Sequence, residues 1–482
     1  MITTVFASGS PPGSGWWSGE MVQNVSSGSA EMVVTAYDPT TGGATYMTDF
    51  FTVATGGSKL FMPADFTGMP DDFAGSAVVS SSADIRAIVT LTNRYISTLG
   101  VVGGLATGQY QGTNTGATSL QFPLIKNNYY SKNTTFYVQN AGTVATVVTA
   151  TFYVGASTYV YTSPSFEPGR MVAISPADAG VPADGLGSLK VTSSPAVPLA
   201  GVALEHKVVE NPATILQASR GLAPTEANTK IYAPIIKNNY YGRFTGLQVM
   251  NASGGPVDIT VSYKSSMAGC DGFSDTKTGV QPNNSATFVH LVGQTTLPYG
   301  CLASATVTAT GNVIGLVNES YTTAFLTVNP GRSQESVTYA AFSSNQATTK
   351  ISLPLYKEDS YSKSTGLAIQ NVGAANATNV VITFVGPTGT YKTVAQTIPV
   401  GGSLVVLDVR LKPSTFWDGT AMTVDALGGC LYPNYCGANG LFGVTITSDQ
   451  PVVAIANEST YPWTAPRIQQ DKNNYEGFNL VP

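Results

Sequence analysis

A chain of 482 residues, 43% apolar and 11% charged, holds enough apolar material for several cores, which excludes a disordered polymer. An average soluble domain is about 25% charged, so this surface must be covered largely by Ser, Thr, Asn and Gly. A net charge of −5 without a basic cluster argues against nucleic acid, and no apolar run approaches the roughly 20 residues of a membrane span.

The first strand-like run ends at Gln23-Asn24. The next module opens with Phe122-Pro-Leu-Ile-Lys-Asn-Asn-Tyr-Tyr130 and runs on to Asn140. The same phrase returns as Ala233-Pro-Ile-Ile-Lys-Asn-Asn-Tyr-Tyr241 before Asn251, and as Leu353-Pro-Leu-Tyr-Lys-Glu-Asp-Ser-Tyr361 before Asn371. The four Asn are spaced by 116, 111 and 120 residues. A second ruler, late in each module, takes Asn93, Glu205, Asn318 and Asn457 as equivalents, with spacings of 112, 113 and 139. An insertion around Phe416 to Asn439 lengthens the last gap. This period is the size of a whole domain, too long for a solenoid repeat.

Alternation of period two marks half-buried strands, as in Val257-Asp-Ile-Thr-Val-Ser-Tyr263. Fifty Gly and 28 Pro punctuate many short strands and suit helices badly. The expected fold is all-β: four tandem Ig-like antiparallel β-sandwich domains at 1–115, 116–226, 227–346 and 347–462, with a C-terminal tail at 463–482. The Pro of each repeated phrase places the first strand at a sheet edge or at a crossing between sheets.

The four Cys fall in pairs within domains, predicting disulfides Cys270–Cys301 and Cys430–Cys436 and an oxidising compartment. Asn-x-Ser/Thr sequons at Asn24, Asn133, Asn251, Asn283, Asn318, Asn376 and Asn457 are possible glycosylation positions. The start, Met1-Ile-Thr-Thr-Val-Phe-Ala-Ser, does not read as a signal peptide.

Two His leave little room for acid–base or metal chemistry, and no nucleophile elbow, zinc motif, phosphate loop or dinucleotide fingerprint occurs. His206 and His290 read as strand residues, and Asp71-Asp72 and Glu358-Asp359 as solvated turn acids. The segments Asn318-Glu-Ser320 and Asn457-Glu-Ser459 look motif-like. With Asn93 and Glu205 as their counterparts, the carboxylate drifts, which favours a structural role. These features imply no enzyme, no cofactor and no metal site.

All four Trp lie in the terminal modules, at Trp16, Trp17, Trp417 and Trp463. Tyr475-Glu-Gly-Phe478 matches Tyr339-Ala-Ala-Phe342, which precedes the joint into the fourth domain. A joint with no successor predicts a head-to-tail contact between molecules, with Trp16, Trp17, Trp463, Tyr475 and Phe478 at the subunit interface and the tail as donor strand.

The phrases at Pro123 to Tyr129, Pro234 to Tyr240 and Thr245 to Asn251 resemble those of tandem β-sandwich repeat proteins of bacterial and archaeal cell surfaces. That resemblance implies a surface location and transfers no functional residues. The expected function is a secreted subunit polymerising into an extracellular filament, sheath or surface layer. The alternative is a monomeric surface adhesin or stalk that binds glycan or another cell.

Overall fold

The computed structural model describes residues 3–7, 15–71, 73–96, 102–207, 215–328, 336–360, 363–430, 436–460 and 472–480. The first domain contains β1 (Thr3–Ala7), β2 (Gly15–Asn24), β3 (Ala30–Tyr37), β4 (Thr45–Met47), β5 (Phe51–Val53), β6 (Ser58–Phe61), β7 (Ala74–Ser81), β8 (Ile85–Ile96) and β9 (Val102–Gln111). The second contains β10 (Ser119–Asn127), β11 (Asn133–Asn140), β12 (Val147–Val154), β13 (Ser157–Thr162), β14 (Met171–Ile174), β15 (Gly185–Ser194), β16 (Leu199–Lys207) and β17 (Ile215–Arg220). The third contains β18 (Asn228–Asn238), β19 (Arg243–Asn251), β20 (Val257–Lys264), β21 (Ser274–Val280), β22 (Ser285–Val289), β23 (Cys301–Tyr321), helix α1 (Thr323–Val328), β24 (Val337–Ala340) and β25 (Phe342–Ser343). The fourth contains β26 (Thr348–Lys357), β27 (Lys363–Asn371), β28 (Ala377–Gly386), β29 (Gly389–Lys392), β30 (Gln396–Ile398), β31 (Ser403–Val406), β32 (Leu441–Thr460), β33 (Lys472–Glu476) and β34 (Phe478–Asn479).

The sandwich expected from the sequence recurs four times with one strand order. In the second domain the sheets run β10-β15-β12-β13 and β14-β11-β16-β17. The first domain repeats this as β1-β7-β3-β4 and β6-β2-β8-β9. In the third, β23 serves both sheets: residues 301–309 pair with β18 and β20, and residues 313–321 with β19 and β24. In the fourth, β32 does the same with β26, β28, β27 and β33. Alternation explains the faces: Val257, Ile259, Val261 and Tyr263 of β20 are buried, while Asp258, Ser262 and Lys264 are exposed.

The Asn ruler has a physical basis. Asn24, Asn140, Asn251 and Asn371 are all fully buried. Each side-chain amide donates to two carbonyls, Gly28 and Val53 in the first domain, and correspondingly Val144 and Phe166, Gly255 and Val280, and Ala375 and Ile398. Each side-chain oxygen accepts from the backbone two residues on. One side chain thus ties the turn after its strand to the facing layer.

The four sandwiches close into a ring. Strand β9 packs against β17, β17 against β24, β24 against β33, and β33 back against β9. Every seam has an apolar centre. Val89, Leu91 and Tyr110 join Val202, Leu204 and Leu216 at the first; Leu222 joins Met250, Ile314 and Ala340 at the second. At the third, Ala368, Val453 and Ile455 sit in the third domain's cluster. At the closing seam, Met21 and Ile88 of the first domain sit in the fourth domain's core.

The repeated phrase lies on these seams. Each copy carries a register shift at its Pro. The carbonyls of Pro123, Pro234 and Pro354 accept hydroxyl hydrogen bonds from Ser285 (2.7 Å), Ser403 (3.0 Å) and Ser58 (3.1 Å). The Ser belongs in each instance to the next domain around the ring, and after the fourth domain the next is the first. At the remaining seam Arg170 substitutes, its guanidinium donating to the carbonyls of Asp38 and Gly43.

Ring closure corrects the expectation for the tail. Residues 472–476 pair with β32 of their own domain, and Phe478 pairs with Ser352, as Phe342 pairs with Tyr232. Tyr475 hydrogen-bonds both backbone groups of Leu355, as Tyr339 does those of Ile235. The match of Tyr475-Glu-Gly-Phe478 to Tyr339-Ala-Ala-Phe342 marks a strand spent within the molecule, so it is not available as a donor. The segment 472–479 is part of the fourth domain.

Asn140→Ala should lower stability by about 1–3 kcal/mol, because the buried Phe166 carbonyl and the partly buried Val144 carbonyl lose the side-chain amide that donates to them. Urea unfolding of the full chain would show this as an earlier transition for the second domain, read by its tyrosine signal and by limited proteolysis. An unchanged midpoint would contradict the assigned role.

Candidate binding groove between the third and fourth domains

The three Lys of the repeated phrases end in equivalent places. Lys126 meets Glu205 at 2.8 Å, Lys237 meets Glu319 at 2.8 Å and Lys357 meets Glu458 at 2.8 Å. A second cation also meets Glu205 and Glu319: Lys132 reaches Glu205 at 3.0 Å and Arg243 reaches Glu319 at 3.1 Å. The carboxylates are buried. Burial opposes ionisation of Glu205, but the two ammonium groups outweigh it and hold its carboxyl at about 2. Burial also draws Lys126 down to about 8.

This overturns the second ruler. Pairing sets Glu205, Glu319 and Glu458 opposite Thr134, Thr245 and Thr365, so these three Glu are equivalent and the carboxylate is kept. Glu205 corresponds to Glu319, one place from Asn318. In the first domain the position is Leu91, opposite Ser18.

The first domain instead carries a carboxylate two residues along β2. Glu20 stands where the others have Phe136, Leu247 and Leu367. It is fully buried and neither oxygen has a hydrogen-bond partner. Burial raises its carboxyl to about 8.

The Lys-Asn-Asn-Tyr-Tyr turn is stiff. Asn128 and Tyr130, and likewise Asn239 and Tyr241, hold positive φ of 50–54°. Tyr129 and Tyr130 meet edge to face at 4.7 Å, and Tyr240 and Tyr241 at 4.6 Å. The outer ring of each pair faces solvent: Tyr130 is 80% exposed and Tyr241 79%. In the fourth domain Glu-Asp replaces Asn-Asn, and Arg410 answers it with a 2.7 Å bond to Asp359 beside Glu358. Glu358 and Asp359 are fully buried, which corrects the expectation of solvated turn acids. Burial raises Glu358 to about 7.

Beside Tyr241 lies a groove of about 660 Å³. Its third-domain wall is aromatic: Tyr240, Tyr241, Tyr321 and Phe325. Phe325, on α1, stacks on Tyr321 at 4.4 Å, and the Arg243 guanidinium lies 4.0 Å from the Tyr321 ring centroid. Gly242 permits this, since a Cβ there would stand 2.2 Å from the Phe325 ring. The fourth-domain wall offers Leu367, Val405 and Leu407, with Ser364, Thr365, Asp408, Asn457 and Ser459 as polar groups.

Other predicted positions fall elsewhere. The disulfides Cys270–Cys301 and Cys430–Cys436 are formed. Trp16 and Trp17 lie in β2 opposite Asn93 and Thr92, and Trp463 lies outside the described residues. Trp417 is in the fourth core, while Tyr475 and Phe478 are buried in their own domain. Among the sequons, Asn24 and Asn251 are fully buried with committed amides, Asn133, Asn283, Asn318 and Asn457 are half-buried, and Asn376 is exposed. His290 is buried between Thr245 and Tyr263, whose hydroxyl reaches Asp275 at 2.7 Å. Burial lowers His290 to about 4. Among the described residues no cluster of His, Cys, Asp and Glu is placed to hold a metal, and no helix is long and apolar enough to cross a membrane.

No protein-family model matches the chain, and no curated protein matches it. Among solved structures, one similarity is to a protein described as "Crystal Structure of Thermotoga maritima 1070", at 20% identity and a TM-score of 0.20. It covers 23% of this chain and 97% of that one.

Glu20 gives a pH prediction. Its folded value, about 8, lies above the ordinary 4.5, so its contribution is fully present below 4.5 and is lost as pH rises through 8. The first domain should lose up to roughly 4 kcal/mol across that window, and Glu20→Gln should flatten the profile. Unfolding midpoints at acid and at alkaline pH would check this. Equal pH slopes in wild type and variant would remove Glu20 as the cause.

Proposed function

We propose that the protein is a secreted, non-catalytic platform of adhesin type, in which the closed four-domain ring is the working unit and its outward turns carry binding. One observation carries this reading: the Ser58 hydroxyl meets the Pro354 carbonyl at the closing seam just as Ser285 meets Pro123 and Ser403 meets Pro234. A molecule whose last junction is satisfied by its own first domain has no free end for head-to-tail growth. Two disulfides fit an oxidising compartment. Buried titratable groups are spent on structure: Glu205, Glu319 and Glu458 on cations, and His290 on Thr245 and Tyr263.

The closing seam is open to test at Gly443, where a Cβ would stand 2.6 Å from Gln23 Nε2 and 3.1 Å from the Gly56 carbonyl. Gly443→Leu should open that seam and leave the other three. Light scattering and small-angle scattering should report a compact wild-type monomer at every concentration, and a variant that is extended or associates through its exposed seam. Concentration-dependent filaments of wild-type protein with beaded, open rods in negative stain would overturn the platform in favour of a polymer.

A further inference from the structure

The geometry points to the groove between the third and fourth domains as a binding site for a neutral oligosaccharide, an inference that rests on the platform reading and gives it a ligand. The two walls differ in chemistry. The third-domain wall offers ring faces and edges, with Tyr241 open to solvent at its rim. Such rings pack on the C–H face of a pyranose as they do on other apolar surfaces.

The fourth-domain wall offers hydrogen bonding that the protein itself leaves unused. Asp408, Asn457 and Ser459 line the groove, and among the described residues their side chains make no hydrogen bond. A carboxylate, an amide and a hydroxyl together accept from and donate to adjacent sugar hydroxyls. A wholly apolar ligand would strip water from Asp408 without replacing it, at a cost of several kcal/mol.

Charge selects against ions. The two cations at the groove, Lys237 and Arg243, are both bonded to Glu319. With Asp408, the local sum among these described residues is two positive and two negative groups, a balance that favours neither an anion nor a polycation.

Among the described residues, the preceding seam lacks the full set. At the preceding seam Tyr130 is equally exposed and its turn equally constrained, so exposure and positive φ alone do not make a site. There Ser131 takes the place of Gly242, and His290, already bonded to Thr245 and Tyr263, takes that of Asp408. Tyr130 is therefore a built-in control.

The test uses the full chain and saturation-transfer NMR with maltotriose, cellotriose and chitotriose, with sialyllactose as the anionic comparison. At least one neutral trisaccharide should bind with an affinity on the order of millimolar or better. Tyr241→Ala and Asp408→Ala should each weaken it about tenfold or more, and Tyr130→Ala should leave it unchanged. Binding of sialyllactose alone, equal loss in Tyr130→Ala, or no saturation transfer from any neutral trisaccharide would overturn the proposal. Small-angle scattering on the same samples separates the outcomes: a compact ring that binds none of these sugars removes the ligand and keeps the platform, whereas an open rod removes the platform.

Discussion

The seam that joins the fourth domain to the first is the constraint on which the rest of the structure depends. It repeats the contacts of two internal seams, a Ser hydroxyl on a Pro carbonyl and an apolar patch beneath it. Each hydrogen bond contributes only about 1 kcal/mol, so the apolar burial of Met21 and Ile88 against the fourth core supplies most of the attraction. Closure is intramolecular once three seams are formed, so the fourth forms at a high effective concentration of its partner. Gly443 shows how finely this seam is set. The other three seams have Ser76, Ser188 or Ser304 donating across, whereas here a Cβ would crowd the Gln23 amide and the Gly56 carbonyl.

A ring made from one chain escapes a limit that binds a ring of identical subunits. At one position of the last strand in each domain stand Gln111, Arg220, Ala340 and Glu476, and the first three all act on Glu476. Four identical charges there would repel one another in a medium poor in water. The fused chain mixes them. Burial raises Glu476, the Arg220 charge opposes that rise, and the Ala340 backbone N–H donates to its carboxylate. Gln111 donates to the Glu476 carbonyl at 2.5 Å. Duplication followed by drift has converted four equal positions into one complementary set.

What the sequence shows plainly is whatever one side chain does locally and every copy needs. The four Asn are visible because each alone staples a turn, and no other residue supplies two donors and an acceptor in that space. The strands follow from alternation, and the disulfides from the segregation of Cys into domains. The Glu205–Lys126 pairing hides because its partners are 79 residues apart and the flanking Asn-Glu-Ser invites a register one place off. Glu358-Asp359 reads as a solvated turn because its cation, Arg410, lies in a different segment, 51 residues on. Tyr475 and Phe478 were legible as copies of Tyr339 and Phe342. That identity alone does not say whether the strand they form is used at home or abroad, since the deciding contact is with the far end of the chain.

The same drift sets the groove between the third and fourth domains apart from the seam before it. Three changes coincide there: α1 supplies Phe325, Gly242 lets that ring approach the Tyr-Tyr turn, and Asp408 stands where the third domain has His290, which is satisfied internally. Removing any one weakens the contrast between the walls. Without Phe325 the aromatic wall loses its stack on Tyr321; with a larger residue at 242 the helix is pushed away; with His290's hydrogen bonds reproduced at 408 the polar wall has one fewer group to offer. The repeated fold supplies an exposed ring at two seams, Tyr130 and Tyr241, and the chemistry around them differs where the copies have stopped being alike.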